Sequence, residues 1–290
     1  MIESPAPLEL CRDGEPCFDY CMWPYEPRKP VAGKLRASNL LFQSFAVAGL
    51  ADVLMPVCSA LRQAFGENRT VWGVKYAEGR LSWEFYFYDY ERLERQLSLT
   101  RVLEVLKPFV NCDLQFSENR PYFMFSIDLD ASWSLADKQL GEVSIYMGNI
   151  GNHVSSGISY GLTKQGLAFD NLYYFFDGQK EFGEAMEKLA CSAHLDLPGL
   201  ALSDVAWPEM RDCGVLVVAN KRNCEGIYYG RVGVEKLLWA MERMAMPAPL
   251  QDYIRTNQQQ LDHLLFDVGI DYRMENGEIR FLKSAYYGVF

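Results

Sequence analysis

Hydrophobic and polar residues alternate most clearly over residues 157–178, where two runs rich in β-branched and aromatic residues flank a Gln165–Gly166 turn. Such alternation around a short glycine-containing turn is typical of an antiparallel β-hairpin. Apolar residues then follow at helical spacing, at Phe182, Met186 and Leu189. These three lie on one face of a helix, so the stretch predicts a unit of two strands and one helix.

The same pattern recurs along the chain and predicts ten strands arranged as five hairpins. In the last repeat the turn is Asn276–Gly277, the dipeptide that most strongly favours a two-residue hairpin turn. The four further repeats cover residues 70–90, 121–149, 214–232 and 268–290, and a helical pattern follows the first and the third of them.

The two faces of each predicted strand differ in chemistry. In residues 80–88 one face carries Leu81, Trp83, Phe85 and Phe87, and the other carries arginine, serine, glutamate and tyrosine. If helices cover the apolar face, the polar face looks either at solvent or into the lumen of a closed barrel. Closure removes free strand edges, and ten strands enclose more space than eight. We therefore predict an α+β fold, a ten-stranded antiparallel β-barrel with helices outside and a ligand chamber inside.

The first 36 residues differ from the rest of the chain, because they contain six prolines. Such a segment suits an extended arm better than an element of the core. The 290 residues are 49% hydrophobic, which is enough to bury one large core. We predict an N-terminal arm over residues 1–36, packed on a single barrel domain over residues 37–290.

Charge and cysteine usage narrow the classes of function. A formal net charge of −10 argues against a general nucleic-acid binder, which needs a broad basic surface. We also expect no membrane association, because no apolar run approaches the roughly 20 residues that span a bilayer. The N-terminal sequence lacks the features of a secretory signal, and eight scattered cysteines fit a reducing compartment. These features predict a cytoplasmic protein, and the spacing of its cysteines and histidines predicts no metal centre.

Five stretches together resemble the ABBA (αββα-fold) prenyltransferases, and the likeness is greatest to the cyanobactin-type peptide prenyltransferases. They share the order of hairpins, the tyrosine-rich polar faces and a terminal strand of the Ile-Arg-aromatic type followed by Tyr-Tyr. The stretches are residues 74–89, 122–133, 170–176, 226–231 and 275–287.

The resemblance implies transfer of an allylic prenyl group, dimethylallyl or geranyl, from its diphosphate to an aromatic or peptide acceptor inside the barrel. Such chemistry requires cationic groups for the leaving diphosphate, an aromatic wall around the allylic cation, and a base near the acceptor. The diphosphate candidates are Arg80, Asn171, Arg231, Arg273, Arg280 and Lys283, and Lys75 lies close in sequence to them. The aromatic candidates are Tyr86, Tyr146, Tyr173, Tyr229 and Tyr286. The carboxylates that could act as base, or hold Mg²⁺ on the diphosphate, are Glu84, Asp128 and Glu142.

Three positions depart from the family pattern and leave a second hypothesis open. Glu84 and Glu142 occupy positions that are usually basic in the family, and Lys283 is one residue out of register with a common lysine of the last strand. Strand alternation would turn Lys283 toward the helices. The alternative is therefore a barrel relative that binds or transforms another small molecule, or a non-catalytic ligand-binding protein. A third hypothesis, an interaction protein with an open sheet face, predicts no enclosed chamber.

Overall fold

Ten antiparallel strands close into one barrel in the computed structural model, which describes residues 8–90, 95, 97–148, 155–196 and 201–290. The predicted fold class is therefore confirmed. The barrel strands are β3 (Val71–Ala77), β4 (Arg80–Tyr88), β5 (Met124–Leu129), β6 (Val143–Gly148), β7 (Ser155–Thr163), β8 (Gly166–Asp177), β9 (Val215–Lys221), β10 (Glu225–Val232), β11 (Phe266–Glu275) and β12 (Glu278–Val289).

Each barrel strand pairs with its neighbours in sequence, and the last strand closes the sheet against the first. Pairing of β12 with β3 runs from Ser284 opposite Tyr76 to Val289 opposite Val71. Because every strand has two partners, the barrel has no exposed edge. The shortest ladder joins β5 to β6, which share only three residue pairs.

The helices cover the outer face of this sheet. Trp72, Trp83, Phe85 and Phe125 point outward and are almost completely buried in one apolar cluster with the helical side chains. The indole N–H of Trp83 donates a 2.7 Å hydrogen bond to the Oγ of Ser44. The described helices are α1 (Ser38–Val47), α2 (Ala51–Phe65), α3 (Leu99–Leu106), α4 (Phe182–Ala190), α5 (Val234–Arg243), α6 (Ala248–Thr256) and α7 (Gln258–Leu261).

The two ends of the barrel are different. We call the end with the tight turns, such as Glu78–Gly79 and Asn276–Gly277, the hairpin end, and the opposite end the helix end. All four residues of these two turns have positive φ angles, which Gly79, Asn276 and Gly277 adopt at little cost and Glu78 adopts at a steric cost. None of the helices in the described ranges is long and apolar enough to cross a membrane.

The N-terminal arm packs against the helix end. Its two short strands, β1 (Cys17–Phe18) and β2 (Pro24–Tyr25), pair antiparallel. Beside them, the carboxylate of Asp19 accepts a 2.8 Å hydrogen bond from the Nε of Arg231. These contacts hold the proline-rich arm against the barrel.

Three β-bulges interrupt the described barrel ladders, in β8, β10 and β12. Leu282 is an extra residue in β12, because Lys283 pairs with Asp271 but Phe281 pairs with Tyr272. A bulge leaves one residue unpaired and shifts the alternation that follows it. Lys283 therefore faces the lumen, and the prediction that alternation turns it toward the helices is wrong. Asp170 is a similar extra residue in β8.

Small residues on the lumen face make room for large ones. A Cβ at Gly73 would lie 2.6 Å from the Cε1 of Tyr287. We expect Gly73→Ala to lower the free energy of unfolding by about 1–3 kcal/mol, because the tyrosine ring must move or the strands must separate. Gly141→Ala is the matched control, since a Cβ at Gly141 meets no atom within 4 Å. Urea unfolding of both variants measures the effect, and equal stability would contradict the packing described here.

Candidate active site in the barrel lumen

Five tyrosines form a closed circle inside the barrel, which we call the tyrosine ring. Consecutive ring centroids lie 6.0–6.5 Å apart, in the order Tyr86, Tyr146, Tyr173, Tyr228, Tyr287 and back to Tyr86. The rings are tilted or edge-on, as favoured by aromatic quadrupoles. Burial raises the pKa of each of these phenols, so the hydroxyls stay protonated at neutral pH. The result is an uncharged, electron-rich wall.

Of the five tyrosines predicted from the sequence to line the lumen, three belong to the tyrosine ring and two do not. Tyr86, Tyr146 and Tyr173 face inward as expected, but Tyr229 and Tyr286 are on the outer face and pack against Trp207 and Trp72. The outward direction of Tyr286 follows from the bulge at Leu282. In β10 two adjacent tyrosines point to opposite faces, and the hydroxyl of Tyr229 donates to the backbone oxygen of Val205. Their neighbours Tyr228 and Tyr287 complete the ring instead.

Three lysines, which we call the lysine layer, lie on the hairpin-end side of the tyrosine ring. They are Lys75 of β3, Lys221 of β9 and Lys283 of β12. The Nζ of Lys221 lies 2.8 Å from the hydroxyl oxygen of Tyr228 and 5.5 Å from the centroid of that ring. The charged layer therefore contacts the aromatic wall directly.

Asp271 joins two members of the lysine layer. Its carboxylate oxygens lie 2.7 Å from the Nζ of Lys221 and 2.8 Å from the Nζ of Lys283. Burial would raise the pKa of this carboxyl, but the two lysines outweigh burial and hold its pKa well below the usual range. The same attraction raises the pKa of both lysines against the effect of their own burial. All three groups are consequently charged at neutral pH.

Lys75 lies in a second cluster with Glu84 and Asp128. Its Nζ is 3.3 Å from the Oε2 of Glu84 and also contacts Asp128. Burial opposes ionisation of Glu84, but Lys75 and a hydrogen bond from Ser126 lower the pKa of Glu84 overall. Burial and the nearby Glu84 raise the pKa of Asp128, although 65% of its side chain remains exposed at the hairpin end. Glu84 is thus the ionised carboxylate and Asp128 the more readily protonated one.

Asn171 lies in the lumen opposite Lys221 in the ladder between β8 and β9, and Glu142 is an exposed residue at the hairpin end. The amide of Asn171 donates to the hydroxyl of Tyr173 at 2.9 Å and to the carboxylate of Asp170 at 2.7 Å. The Oγ of Ser159, which is opposite Asn171 in the ladder, is buried with no hydrogen-bond partner among the described residues. Glu142 lies over Gly161, where a Cβ would meet its side chain.

The four arginines chosen from the sequence stay outside the group formed by the lysines. Arg80 forms an ion pair with Glu78, and Arg273 and Arg280 both pair with Glu275, all at hairpin turns. The side chains of Arg80 and Arg280 are 82% and 62% exposed. Arg231 is at the helix end, where it holds Asp19. The cations of the lumen are instead Lys75, Lys221 and Lys283; Lys283 was among the candidates chosen from the sequence, whereas Lys221 was not.

A buried thiol and imidazole outside the lumen form no activated pair. The Sγ of Cys11 lies 3.5 Å from the Nε2 of His263, beside a cavity of about 40 Å³ under the arm. Burial raises the pKa of Cys11 to about 12 and lowers that of His263 to about 4. Both groups are neutral near pH 7, so the thiolate required for nucleophilic chemistry is not formed. Over the described ranges, no group of three or more His, Cys, Asp and Glu side chains is arranged to hold a metal ion.

Comparison with known proteins adds one partial similarity. No known protein-family model matches the chain. The chain is 31% identical over 71 residues to a putative JmjC domain-containing protein of Acanthamoeba polyphaga mimivirus. This match covers 24% of the chain and 11% of the viral protein.

The helix end contains a carboxylate with an unusual proton affinity. Burial, followed by repulsion from Asp19, raises the pKa of Asp267 to about 8, against smaller opposing effects of the Tyr20 N–H and Arg231. In the unfolded chain an aspartate has a pKa of about 4. The folded state therefore holds this proton more tightly, which stabilises the fold fully below about pH 4 and progressively less as the pH rises through about 8.

We expect Asp267→Asn to remove this pH dependence. In the unaltered protein, the contribution of Asp267 lowers the free energy of unfolding by ~1 kcal/mol or more between about pH 4 and pH 8. The amide cannot ionise, so the variant should show a flatter profile when urea unfolding is repeated across that range. Asp204→Asn, which changes an exposed carboxylate, should keep the original slope. Identical profiles for the unaltered protein and Asp267→Asn would contradict the assignment.

Proposed function

We propose that the protein is a prenyltransferase-like enzyme that transfers an allylic group from its diphosphate to an aromatic or peptide acceptor inside the barrel. One observation carries the proposal: a closed ring of five tyrosines lies directly next to three lysines whose side chains are only 10–28% exposed. An allylic diphosphate matches this arrangement, because its diphosphate head is anionic and its apolar prenyl tail becomes cationic during reaction. The resemblance of the sequence to the ABBA prenyltransferases supports the same function.

The lysine layer serves the leaving group. As the bond between the allylic carbon and the diphosphate oxygen breaks, negative charge develops on that oxygen, and buried ammonium groups stabilise it strongly. Lys221 and Lys283 share Asp271, so each keeps hydrogen-bond capacity for a ligand. Asp271 meanwhile outweighs the repulsion between the two ammonium groups when no ligand is bound.

The tyrosine ring serves the allylic fragment. Positive charge spreads over its allylic carbons as the bond breaks, and the faces of aromatic rings attract cations. Their hydroxyls remain protonated because burial raises their pKa, so they do not compete as phenolate nucleophiles. The ring also limits the access of water, which would otherwise capture the cation.

Glu84 serves the acceptor. The new bond forms between the allylic carbon and an electron-rich atom of the acceptor, which then loses a proton. Glu84 is a buried, ionised carboxylate beside Lys75, and in this proposal it accepts that proton. Electrons and charge balance, because the diphosphate leaves with the bonding pair and the acceptor proton passes to Glu84.

Two further features belong to the proposal. The proposal includes Mg²⁺ bound together with the diphosphate, which Asp128 beside Lys75 would help to hold. A cytoplasmic location is supported by the eight free cysteines, several of them partly exposed. A non-catalytic ligand carrier is the second candidate, since each lumen lysine already has a carboxylate partner.

The lysine layer can be tested on a single strand. We expect Lys283→Met to weaken binding of dimethylallyl S-thiolodiphosphate, an unreactive analogue, by about 10- to 100-fold, because one charge-assisted hydrogen bond is lost. Arg280→Met is the control, since Arg280 lies three residues away on β12 and pairs with Glu275 at the turn. Calorimetric titration with and without MgCl₂ measures both variants. Absence of binding of dimethylallyl and geranyl diphosphates to the unaltered protein would refute the proposed function.

The base can be tested separately from binding. We expect Glu84→Gln to reduce turnover with tyrosine- and tryptophan-containing acceptors by about 10²- to 10⁴-fold, while the diphosphate analogue still binds. Asp128→Asn is the comparison, because Asp128 contacts the same Lys75 but is mostly exposed. Product formation is followed by mass spectrometry, and thermal unfolding verifies that both variants fold. If the unaltered protein binds the analogue but forms no product with any acceptor, the carrier hypothesis is favoured.

A further inference from the structure

The N-terminal arm crosses the helix end of the barrel from one side to the other. On one side Asp19 pairs with Arg231 at the end of β10, at 2.7 Å. On the other side the backbone oxygen of Cys21 accepts a 2.8 Å hydrogen bond from the hydroxyl of Tyr90, just beyond the end of β4. In the closed strand order β10 and β4 are four positions apart among ten. The residues between these two contacts therefore span the opening.

Tyr20 is the residue of the arm that enters the lumen. Its ring centroid lies 5.1 Å from Tyr86, 5.0 Å from Tyr287 and 6.2 Å from Tyr88, in edge-to-face contact with all three. Two of these partners belong to the tyrosine ring. Its backbone N–H lies 3.4 Å from the Oδ2 of Asp267, so the backbone is held as well as the side chain.

The lumen is consequently closed at one end by an aromatic side chain and bounded at the other by charged groups. The lysine layer occupies the hairpin end, where Asp128 is still 65% exposed. An elongated ligand with an anionic head at the lysines would direct its apolar tail past the tyrosine ring toward Tyr20. Tyr20 and Met22 belong to the apolar cluster that lines this inner part.

We propose that Tyr20 is the floor of the lumen and determines the length of the prenyl chain that the enzyme accepts. This inference rests on the proposed function and adds the substrate length to it, because a prenyl chain that extends beyond the tyrosine ring meets the phenol ring of Tyr20. The residue comes from the arm and not from a barrel strand. Exchange of one arm side chain would therefore change selectivity without altering the barrel wall.

The test compares three variants of the full-length protein. Tyr20→Ala removes the ring and opens the floor, Tyr20→Phe keeps the ring, and Trp23→Ala removes a neighbouring aromatic side chain that is 55% exposed. Binding of unreactive dimethylallyl and geranyl thiolodiphosphates is measured by calorimetry, and kcat/KM is measured for both diphosphates. Thermal unfolding establishes that each variant keeps the arm and the barrel folded.

We expect Tyr20→Ala to shift the ratio of geranyl to dimethylallyl affinity by about tenfold or more in favour of geranyl, since even one methylene group in an apolar pocket changes selectivity by that order. Tyr20→Phe and Trp23→Ala should keep the ratio of the unaltered protein. An unchanged ratio in folded Tyr20→Ala overturns the floor assignment while leaving the proposed function intact. Failure of the unaltered protein to bind either analogue overturns both.

A second result would also overturn the inference. If Tyr20 occupied the position of the acceptor, incubation with dimethylallyl diphosphate alone would attach a prenyl group to the arm. Tryptic peptides containing Tyr20 are therefore analysed by mass spectrometry after that incubation. Absence of the added mass, together with the shifted ratio in Tyr20→Ala, supports the floor.

Discussion

Closure of the sheet between β12 and β3 is the constraint on which the lumen and its chemistry depend. Side chains alternate across a strand, so closing the sheet encloses every second residue and exposes the others to the helices. Lys75 and Tyr287 come from strands at opposite ends of the barrel sequence, and they share one interior only because Ala285 pairs with Lys75. An open sheet would leave the same residues on a solvated face, where water would screen their charges.

The interior charges are arranged as balanced clusters and not as a uniform positive pocket. Buried ion pairs contribute little net stability, because desolvation offsets much of their attraction, but loss of one partner is costly. Lys221, Lys283 and Asp271 therefore hold one another in position before any ligand arrives. Lys75 pairs with Glu84 and Asp128, and Lys221 and Lys283 pair with Asp271, so positive and negative groups offset one another within the lumen.

The sequence predicted the architecture better than the direction of individual side chains. Hairpin turns and alternating runs were sufficient to predict the ten strands and the closed barrel. The inward direction of Glu84, Tyr86 and Asp128 followed from simple alternation. Beyond a bulge alternation fails, because one unpaired residue exchanges the two faces. That is why Tyr286 was chosen in place of Tyr287, and no local signal in residues 281–283 marks the extra residue.

Other residues were missed for different physical reasons. Lys221 was missed because it lies next to a turn and was taken for a turn residue. Its spacing from Val217 and Ala219 would have placed all three side chains on one face of the strand. Tyr228 and Tyr229 are adjacent, and only the register with β11 decides which of them faces inward. Tyr20 reaches the lumen through tertiary packing of the arm, which strand periodicity does not encode. Asp271 could have been found by pairing it across the hairpin with Lys283 once the bulge was known.

The short ladder between β5 and β6 has a consequence for how the chamber changes its width. Three residue pairs cross this seam, whereas every other neighbouring pair in the barrel shares at least six. Local opening is governed by the contacts that must break, so these two strands separate at a lower free energy than the rest. Asp128 borders this seam. Separation of β5 from β6 would widen the lumen beside this carboxylate and admit a larger ligand there, while the other nine strand pairs remain hydrogen-bonded.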